Sequence, residues 1–385
     1  MVVDRTKIQA LLKEYPEMPV IAAVASHSAL DVFDGAVTEG FGTLAICQRG
    51  RERTYSHYFR SERDPSGVPI RGCVDQALVY DAFGDILKKD AQSKLRELGA
   101  LLVPNRALSS YVEASSIEKD LEVPILGSRA MLKLEERQEK ENYYGLLQKA
   151  GLPFPAQVPD PSAIDGLCVV KVPHADKPLE RGFFTCATPE EFQKKSRALV
   201  AQKVVRESDL PKARIEKYVI GPVFNLNFFF SPLAPRFEGL ELLGIDERRE
   251  SSLDGLVRLP SDQQLSLPDK ERIPGFRVVG HGSLTLRESL LEEAFRMGEK
   301  FVDAARENYD PGIIGPFCLQ TAVDRDGKFS IFDVSLRIGG GTNIHMALGH
   351  PYGNTLWRVP MSTGRRIALE VRTAIADGAL AKVVT

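Results

Sequence analysis

Short apolar runs alternate with helix-like segments over the first 130 residues. A continuous apolar run at 19–25 is typical of a buried strand, residues 29–39 carry a helical pattern, and 41–48 form a second apolar run. Further strand-like runs follow at 77–80 and 100–103, separated by the helical pattern of 82–98. Alternating strands and helices predict a doubly wound parallel sheet, so we expect an α/β domain over residues 1–130.

Three polar residues, Ser26, His27 and Ser28, follow the first predicted strand directly. They fall at the carboxyl end of a strand and the start of a helix, where free N–H groups and the helix dipole favour an anion. Ser28 alone is explained more simply as a helix cap. A histidine between two serines shifts the interpretation towards a phosphate site for a small molecule.

A basic hairpin is predicted in the next segment, residues 131–222. It begins with a charged surface helix at 131–150, and an apolar strand at 166–172 then contains Lys171. The loop after this strand carries Lys177, Arg181 and Gly182. Two interpretations of Lys171 remain open: a solvent-facing lysine of an edge strand, or a buried cation under a lid that covers a triphosphate.

The last segment, residues 223–385, contains a second candidate hairpin. Strands are predicted at 317–323 and 329–338, joined by a turn at 326–327. With a period of two, one face of the second strand carries a carboxylate, a hydroxyl and a guanidinium: Asp333, Ser335 and Arg337. Three glycines then precede Thr342 and Asn343, and their uncovered N–H groups favour an anion. The hairpin face is therefore either solvated or the site of an ion and a phosphate.

A strongly charged segment at 244–258 lacks helical periodicity. Such a segment is usually a solvated loop. Because it lies between predicted strands, a loop at the edge of a cleft is a fair alternative.

Composition excludes several classes of protein. The net charge of −2 gives no field that would recruit nucleic acid or an anionic membrane, and no apolar run is long enough to span a bilayer. The five cysteines are scattered without a CxxC pair, which argues against a disulfide framework or a structural zinc site and favours a reducing cytoplasm. GxGxxG and GxxxxGK[ST] motifs are absent, which disfavours a dinucleotide site or a P-loop.

The order of these elements resembles that of the ATP-grasp ligases. An α/β domain comes first, then a strand lysine under a basic lid, a Glu-x-Tyr-Val-x-Gly strand and a polar hairpin. The resemblance implies that Lys171 and the lid residue Arg181 hold the phosphates of ATP. It also implies that the segment Glu216, Lys217, Tyr218 and Val219 hydrogen-bonds adenine through its backbone, and that the hairpin holds Mg²⁺.

A closer resemblance is to the archaeal formate-dependent 5-formaminoimidazole-4-carboxamide ribonucleotide synthetases. It extends from about residue 19 to the C-terminus and rests on the segments ASHSAL (25–30), CQRGR (47–51), ERGFF (180–184), NLNFF (225–229), LLGID (242–246), DGLVR (254–258), GPFCL (315–319) and MSTGRR (361–366). It implies that ATP phosphorylates formate, and that the amine of aminoimidazole carboxamide ribonucleotide attacks the formyl phosphate.

The same resemblance assigns roles to individual residues. Lys171 and Arg337 would act in catalysis, and Glu250 would contact ATP. The metal, Mg²⁺ or Mn²⁺, would be held by Gln320 and Asp333. The ribonucleotide and formate would be bound by Ser26, His27, Ser28, Asn105, Arg258, His281, Thr342 and Asn343.

Several positions depart from the family pattern. Glutamates are expected where this chain has Gln320 and Asp333, a His-Gly-Ser loop where it has Asn105-Arg106-Ala107, and an asparagine where it has His281. A neutral amide gives up one charge at the metal, so weaker metal binding is expected unless another acid compensates. The alternatives are a paralogous ligase with a different acid or nucleotide-like amine, and a non-catalytic nucleotide-binding protein.

The predicted organisation has three parts. These are an N-terminal α/β domain (1–130), a helix with the lid subdomain (131–222), and a C-terminal ATP-grasp subdomain (223–385). The expected partners are ATP, formate and the ribonucleotide, without nucleic acid or membrane. The resemblance further implies a homo-oligomer.

Overall fold

A parallel sheet lies in the N-terminal part of the chain. The computed structural model describes residues 3–136, 141–173, 182–234, 239–251, 253–272 and 278–385. The first strands are β1 (Val20–Val24), β2 (Thr43–Gln48), the small hairpin β3 (Glu62–Arg63) and β4 (Pro69–Arg71), then β5 (Gln76–Tyr80) and β6 (Ala100–Leu102). The sheet order β5-β2-β1-β6 is parallel throughout, as the alternating pattern predicted.

Helices cover both faces of this sheet, which confirms the doubly wound arrangement. They are α1 (Arg5–Leu12), α2 (Ala29–Thr38), α3 (Lys89–Glu97), α4 (Arg106–Tyr111) and α5 (Ala114–Lys119). Alternate residues of β1 enter different cores: Ile21 and Ala23 pack with Phe33 of α2, whereas Ala22 and Val24 join the core on the other face. The helix predicted at 82–98 is in fact a 3₁₀ segment, Phe83–Leu87, followed by α3.

The middle segment forms a small antiparallel sheet, here called the middle sheet. It contains β7 (Gln157–Val158), β8 (Cys168–Lys171), β9 (Phe183–Cys186) and β10 (Arg214–Lys217), in the order β7-β10-β8-β9. The prediction of one charged surface helix at 131–150 is wrong. The chain forms α6 (Arg129–Leu132), a 3₁₀ turn and α7 (Tyr143–Lys149), and α7 buries Tyr143 and Leu147 in the core. Helix α8 (Pro189–Ala201) follows β9.

A five-stranded antiparallel sheet, the C-terminal sheet, follows. Its strands are β11 (Val223–Phe230), β12 (Leu240–Glu250), β13 (Val278–Ser283), β14 (Gly315–Val323) and β15 (Phe329–Ser335), in the order β13-β12-β11-β14-β15. Its helices are α9 (Leu253–Leu256), α10 (Ser261–Ser266), α11 (Asp269–Arg272), α12 (Leu291–Asn308) and α13 (Pro351–Trp357). Up to residue 250 the charged segment at 244–258 is therefore strand, not loop. One sheet face packs Phe228, Leu319 and Val334 into a core with α12.

The C-terminal helix returns to the N-terminal domain. Helix α14 (Thr363–Ala376) packs against α2, and a Cβ on Gly35 would lie 2.1 Å from Arg365 N, so only glycine permits this crossing. Residues of α14 thus complete the core beside β1, and α15 (Leu380–Val383) ends the chain nearby. The predicted boundary at residue 130 stays a prediction, but the first and third segments share this core. No helix within the described ranges is long and apolar enough to cross a membrane.

Candidate functional site

A row of buried polar side chains crosses four strands on the face of the C-terminal sheet that is turned away from α12. Asn225 is directly opposite Asp246 on one side and Gln320 on the other, and Gln320 is opposite Asp333. Directly opposed residues of an antiparallel sheet point to the same face. Asp246 therefore lies on the same face as Asp333 and Gln320, the two residues predicted from the hairpin. Asp246 was not among the predicted site residues. Its signal was an acidic residue at the end of the apolar run 242–245.

Asp246 is the centre of a hydrogen-bonded network at one end of this row. Asn225 Nδ2 donates to Asp246 Oδ2 at 2.8 Å, and Asn227 Nδ2 donates to Oδ1 at 2.7 Å. The Nδ1 atom of His281 lies 2.8 Å from Asp246 Oδ2. The Asp246 side chain is 1% exposed and that of His281 is 15% exposed. The buried carboxylate therefore fixes the orientation of a histidine ring that reaches open space.

The two predicted metal ligands differ in what they offer a cation. The Gln320 carbonyl oxygen accepts a hydrogen bond from the guanidinium of Arg248, and Gln320 Nε2 donates to Ser335 Oγ at 3.1 Å. A guanidinium on the ligand oxygen repels a metal ion, so Gln320 does not fit a metal ligand in this conformation. Asp333 is 8% exposed and presents a carboxylate on the same face. Arg248 was not predicted, because nothing in its local sequence marks it as a partner of Gln320.

Residues 339–341, here called the glycine turn, contact both the polar row and the N-terminal domain. Ser28 has a left-handed backbone (φ 67°), and its hydroxyl donates a hydrogen bond to the Gly339 carbonyl. A Cβ on Gly339 would lie 2.2 Å from Asn227 Oδ1, and one on Gly341 would lie 2.1 Å from Asp246 Oδ2. The glycines therefore allow close approach, and they bring residues 26–28 next to Asp246.

Positive charges surround His27. Its ring reaches the surface, but neighbouring residues bury it in part, and this burial lowers the pKa of His27. Four nearby groups lower that pKa further by repulsion: His281, Arg337, Arg106 and Arg51. An anionic ligand would relieve this repulsion, which fits the predicted phosphate site. Ser26 belongs to the same loop, and its carbonyl accepts from Tyr55 Oη at 3.2 Å. Arg51 and Arg106 had no assigned role in the sequence analysis.

Arg337, one of these four groups, is held in place by its contacts. It is 6% exposed, its Nη1 donates to the Ile338 carbonyl at 2.7 Å, and its Nη2 lies 3.5 Å from Glu135 Oε2. Its Nε is buried with no hydrogen-bond partner among the described residues. These contacts hold the guanidinium near His27. Arg337 was predicted to act in catalysis, and that role stays a prediction.

Three residues predicted to bind a ligand also contact other parts of the protein, and their ligand contacts stay a prediction. Asn105 has no exposed surface: its Nδ2 donates to the Val24 carbonyl at 2.7 Å, and its Oδ1 caps α4. Thr342 is also fully buried, beside Asp31 of α2. The Oδ1 of Asn343 accepts from the Asp31 backbone N–H at 3.2 Å. Burial raises the pKa of Asp31 to about 6, and a hydrogen bond from the Gly364 N–H to Asp31 Oδ2 at 3.1 Å opposes the rise. These residues attach the glycine turn to α2.

Lys171 is buried between the middle sheet and the C-terminal sheet, so it is not a solvent-facing edge lysine. Its Nζ lies 2.6 Å from Glu216 Oε2, 2.8 Å from Tyr144 Oη and 2.7 Å from the Phe332 carbonyl. Lys171 and Glu216 are 4% and 0% exposed. Arg214 also contacts the Glu216 carboxylate. The ammonium thus ties β8 to β15, the strand that carries Asp333.

The remaining predicted ATP contacts lie around the middle sheet and the end of β12. The backbone N–H groups of Lys217 and Tyr218 donate to Ala156 and Leu167, both at 2.9 Å, so sheet and loop contacts already use them. Val219 is the next residue along the chain and is half-buried. Glu250 ends β12, and Arg258 is exposed after α9. Arg181 and Lys177, the predicted lid cations, lie outside the described residues.

Two protein-family models together match most of the chain. Residues 21–158 match a family described as "Protein of unknown function (DUF1246)", and residues 191–385 match one described as "Domain of unknown function (DUF1297)".

Named relatives match the chain over nearly its full length. It is 37% identical over 95% of its length to a 5-formaminoimidazole-4-carboxamide-1-(beta)-D-ribofuranosyl 5'-monophosphate synthetase of Methanobrevibacter smithii, covering 94% of that protein. It is likewise 37% identical to the synthetase of the same name from Methanopyrus kandleri, over 99% of both chains.

Solved structures show the same fold. The chain is similar to an IMP biosynthesis protein PurP from Thermococcus kodakaraensis, with a TM-score of 0.69 and 30% identity over 95% of this chain and all of that one. A carboxyaminoimidazole ribonucleotide synthase from Aspergillus clavatus, solved with ATP, has a TM-score of 0.56 and 10% identity over 91% and 79% of the two chains. At that identity the likeness concerns the ATP-grasp fold alone, and it confirms the fold class predicted from the order of elements.

Proposed function

Because the chain belongs to the family of 5-formaminoimidazole-4-carboxamide ribonucleotide synthetases, we propose that it formylates aminoimidazole carboxamide ribonucleotide in purine biosynthesis, using ATP and formate. ATP phosphorylates formate, and the amine of the ribonucleotide attacks the resulting formyl phosphate. The products are the formamido ribonucleotide, ADP and phosphate. The protein is thus an ATP-dependent ligase that forms a carbon–nitrogen bond.

The observation that carries this proposal is the meeting of two distant elements at the glycine turn. Residues 26–28 reach Gly339 through Ser28, while Asp246 and His281 abut Gly341. Three arginines near His27, Arg51, Arg106 and Arg337, lie at the same junction. This arrangement supports a site in which an anionic ribonucleotide reaches the polar row of the C-terminal sheet. Fixed cations there would stabilise the charge of the acyl phosphate.

The ATP side of the site is proposed from the family resemblance. Asp333 would hold the divalent cation, Mg²⁺ or Mn²⁺, that neutralises the phosphates of ATP. Lys171 and Arg181 would be near the phosphates, and residues 216–219 and Glu250 along the rest of the nucleotide. Arg258 would contact the acceptor. We also propose a homo-oligomer and a reducing cytoplasm, the latter supported by five cysteines that are all buried and unpaired.

An omission assay tests the reaction. Phosphate release from ATP is measured with the purified protein while formate and the ribonucleotide are left out in turn, and the formamido product is identified by mass. Release that needs both compounds, with the expected product, supports the synthetase. Release with another acid or amine would indicate a paralogous ligase. ATP binding without turnover under any combination would favour a non-catalytic protein.

Replacement of Gly341 by alanine tests the junction. The new Cβ would lie 2.1 Å from Asp246 Oδ2 and 2.4 Å from His281 Nδ1, so one of these groups must move. We expect a loss of about 1–3 kcal/mol in the free energy of unfolding, as for other overpacked sites, together with reduced formylation.

Gly340→Ala is the matched control, because a Cβ at Gly340 meets nothing within 4 Å. It should retain both stability and formylation. Equal effects of the two substitutions would contradict the proposed role of the close approach at Gly341.

A further inference from the structure

We propose that His281 accepts the proton that the amine of the acceptor loses during formyl transfer, and that Asp246 is the positioning residue for His281. This inference rests on the proposed function, and it assigns a group to the one step of that reaction in which a proton must leave nitrogen. The sequence analysis expected His281 only to contact the ribonucleotide.

The geometry is that of a histidine held by a buried carboxylate. His281 Nδ1 lies 2.8 Å from Asp246 Oδ2, and the carboxylate is almost fully buried. A carboxylate at this distance favours the tautomer with the proton on Nδ1. The lone pair of Nε2 is then on the opposite side of the ring, free to take a proton from a ligand.

The neighbours of Asp246 keep it in this role. Amide N–H groups of Asn225 and Asn227 donate to its two oxygens at 2.8 and 2.7 Å. These two bonds hold the carboxylate in place, so that Asp246 orients the imidazole. The close packing of Gly341 against both side chains prevents the pair from turning away.

The position of His281 relative to the proposed acceptor site is the second argument. The glycine turn touches His281 through Gly341 and residues 26–28 through Gly339. His27 and His281 are close enough for their charges to interact. His345 is a poorer candidate, because its Nε2 is hydrogen-bonded to Ser283 Oγ at 3.1 Å and its side chain is buried.

The chemical step is balanced without a further reactant. The nitrogen lone pair of the acceptor attacks the formyl carbon, a C–N bond forms, and the C–O bond to the phosphoryl group breaks with its electron pair on phosphate. One amine proton passes to His281 Nε2 and from there to the released phosphate. The products are the formamide and hydrogen phosphate.

The test separates proton acceptance from binding. His281→Ala should lower kcat for the formamido product by about 10²–10⁴-fold, the usual range for loss of a general base, while KM for the ribonucleotide changes less than about threefold. The same variant should still form formohydroxamate from ATP, formate and hydroxylamine, because hydroxylamine traps formyl phosphate without the acceptor. Asp246→Asn should lower kcat by less than His281→Ala does. His57→Ala, at an exposed histidine, should leave all rates unchanged.

Rescue gives a readout that a purely structural role would not move. Added imidazole should restore part of the formylation rate of His281→Ala and should leave Asp246→Asn unaffected. A raised KM with unchanged kcat would overturn the proposal in favour of a binding contact, and so would loss of hydroxamate together with formamide. A folded His281→Ala variant that shows no rescue by imidazole would also overturn the proposal, and if that variant does not fold, His281→Ser replaces it in both measurements. If the wild-type protein makes no formamido product, the proposed function itself fails.

Discussion

Asp333→Asn is expected to reduce the rate of formylation by about 10²–10³-fold, because removing one preorganised charge from a water-poor site typically costs several kcal/mol of transition-state stabilisation. Asp333 is 8% exposed and lies opposite Gln320. Gln320 cannot compensate, because its carbonyl oxygen is held by Arg248. The fold should persist, since asparagine has the same shape as aspartate.

Calorimetry of ATP binding with and without Mg²⁺ tests, independently of turnover, whether Asp333 binds the metal ion. The wild-type protein should bind ATP more tightly with Mg²⁺, and Asp333→Asn should lose most of this difference. Asp326→Asn, at the exposed turn of the same hairpin, is the matched control and should behave as wild type. Undiminished formylation by Asp333→Asn would remove the hairpin from the mechanism.

Lys171→Met should reduce the free energy of unfolding by about 3–5 kcal/mol, the usual cost of removing one partner from a buried ion pair. The lysine is 4% exposed, and its ammonium joins Glu216 of the middle sheet to Tyr144 and to the Phe332 carbonyl of β15. Without Lys171, the buried Glu216 carboxylate keeps its contact with Arg214 but loses the ammonium. The contact between the middle sheet and the C-terminal sheet is weakened as well. Denaturant unfolding measures the change.

Lys217→Met is a control on a neighbouring strand. Lys217 pairs with Asp165, but these side chains are 40% and 76% exposed, so solvent screens the pair. Its loss should cost no more than about 1 kcal/mol. A Lys171→Met protein as stable as the Lys217→Met protein would show that the buried pair does not hold the two sheets together. The ATP affinity of Lys171→Met, measured in the same samples, reports on the proposed phosphate contact.

Much of the candidate site follows from local sequence. The turn at 326–327 sets the pairing near the tip of the hairpin, and a bulge between Gln320 and Thr321 then shifts the pairing by one residue and brings Gln320 opposite Asp333. The apolar run before residue 26 placed His27 at the carboxyl end of a strand. Both predictions rest on patterns that span fewer than about ten residues: a run of apolar residues and a turn. Patterns of this length can be recognised in a single sequence.

The features that no local pattern predicted involve residues whose partners are distant in sequence. Asn105 and Thr342 have no exposed surface, and Asn105 donates to the Val24 carbonyl of β1. Helix α7 was expected on the surface, but Tyr143 packs into the core of the C-terminal sheet. Burial of this kind depends on which element covers which, and no local pattern contains that information.

The sequence by itself determined the α/β class, the polar alternation of the last hairpin and, through its resemblance to a family, the ATP-grasp fold and the reaction. Only the tertiary structure decided that Arg248 takes the Gln320 oxygen and that Asp246 holds His281. The reason is physical. The alternation along a strand fixes the face to which each side chain points. The neighbours of a side chain on that face depend on the order of strands in the sheet, which places β12 between β11 and β13. This order brings together side chains that are tens of residues apart in sequence.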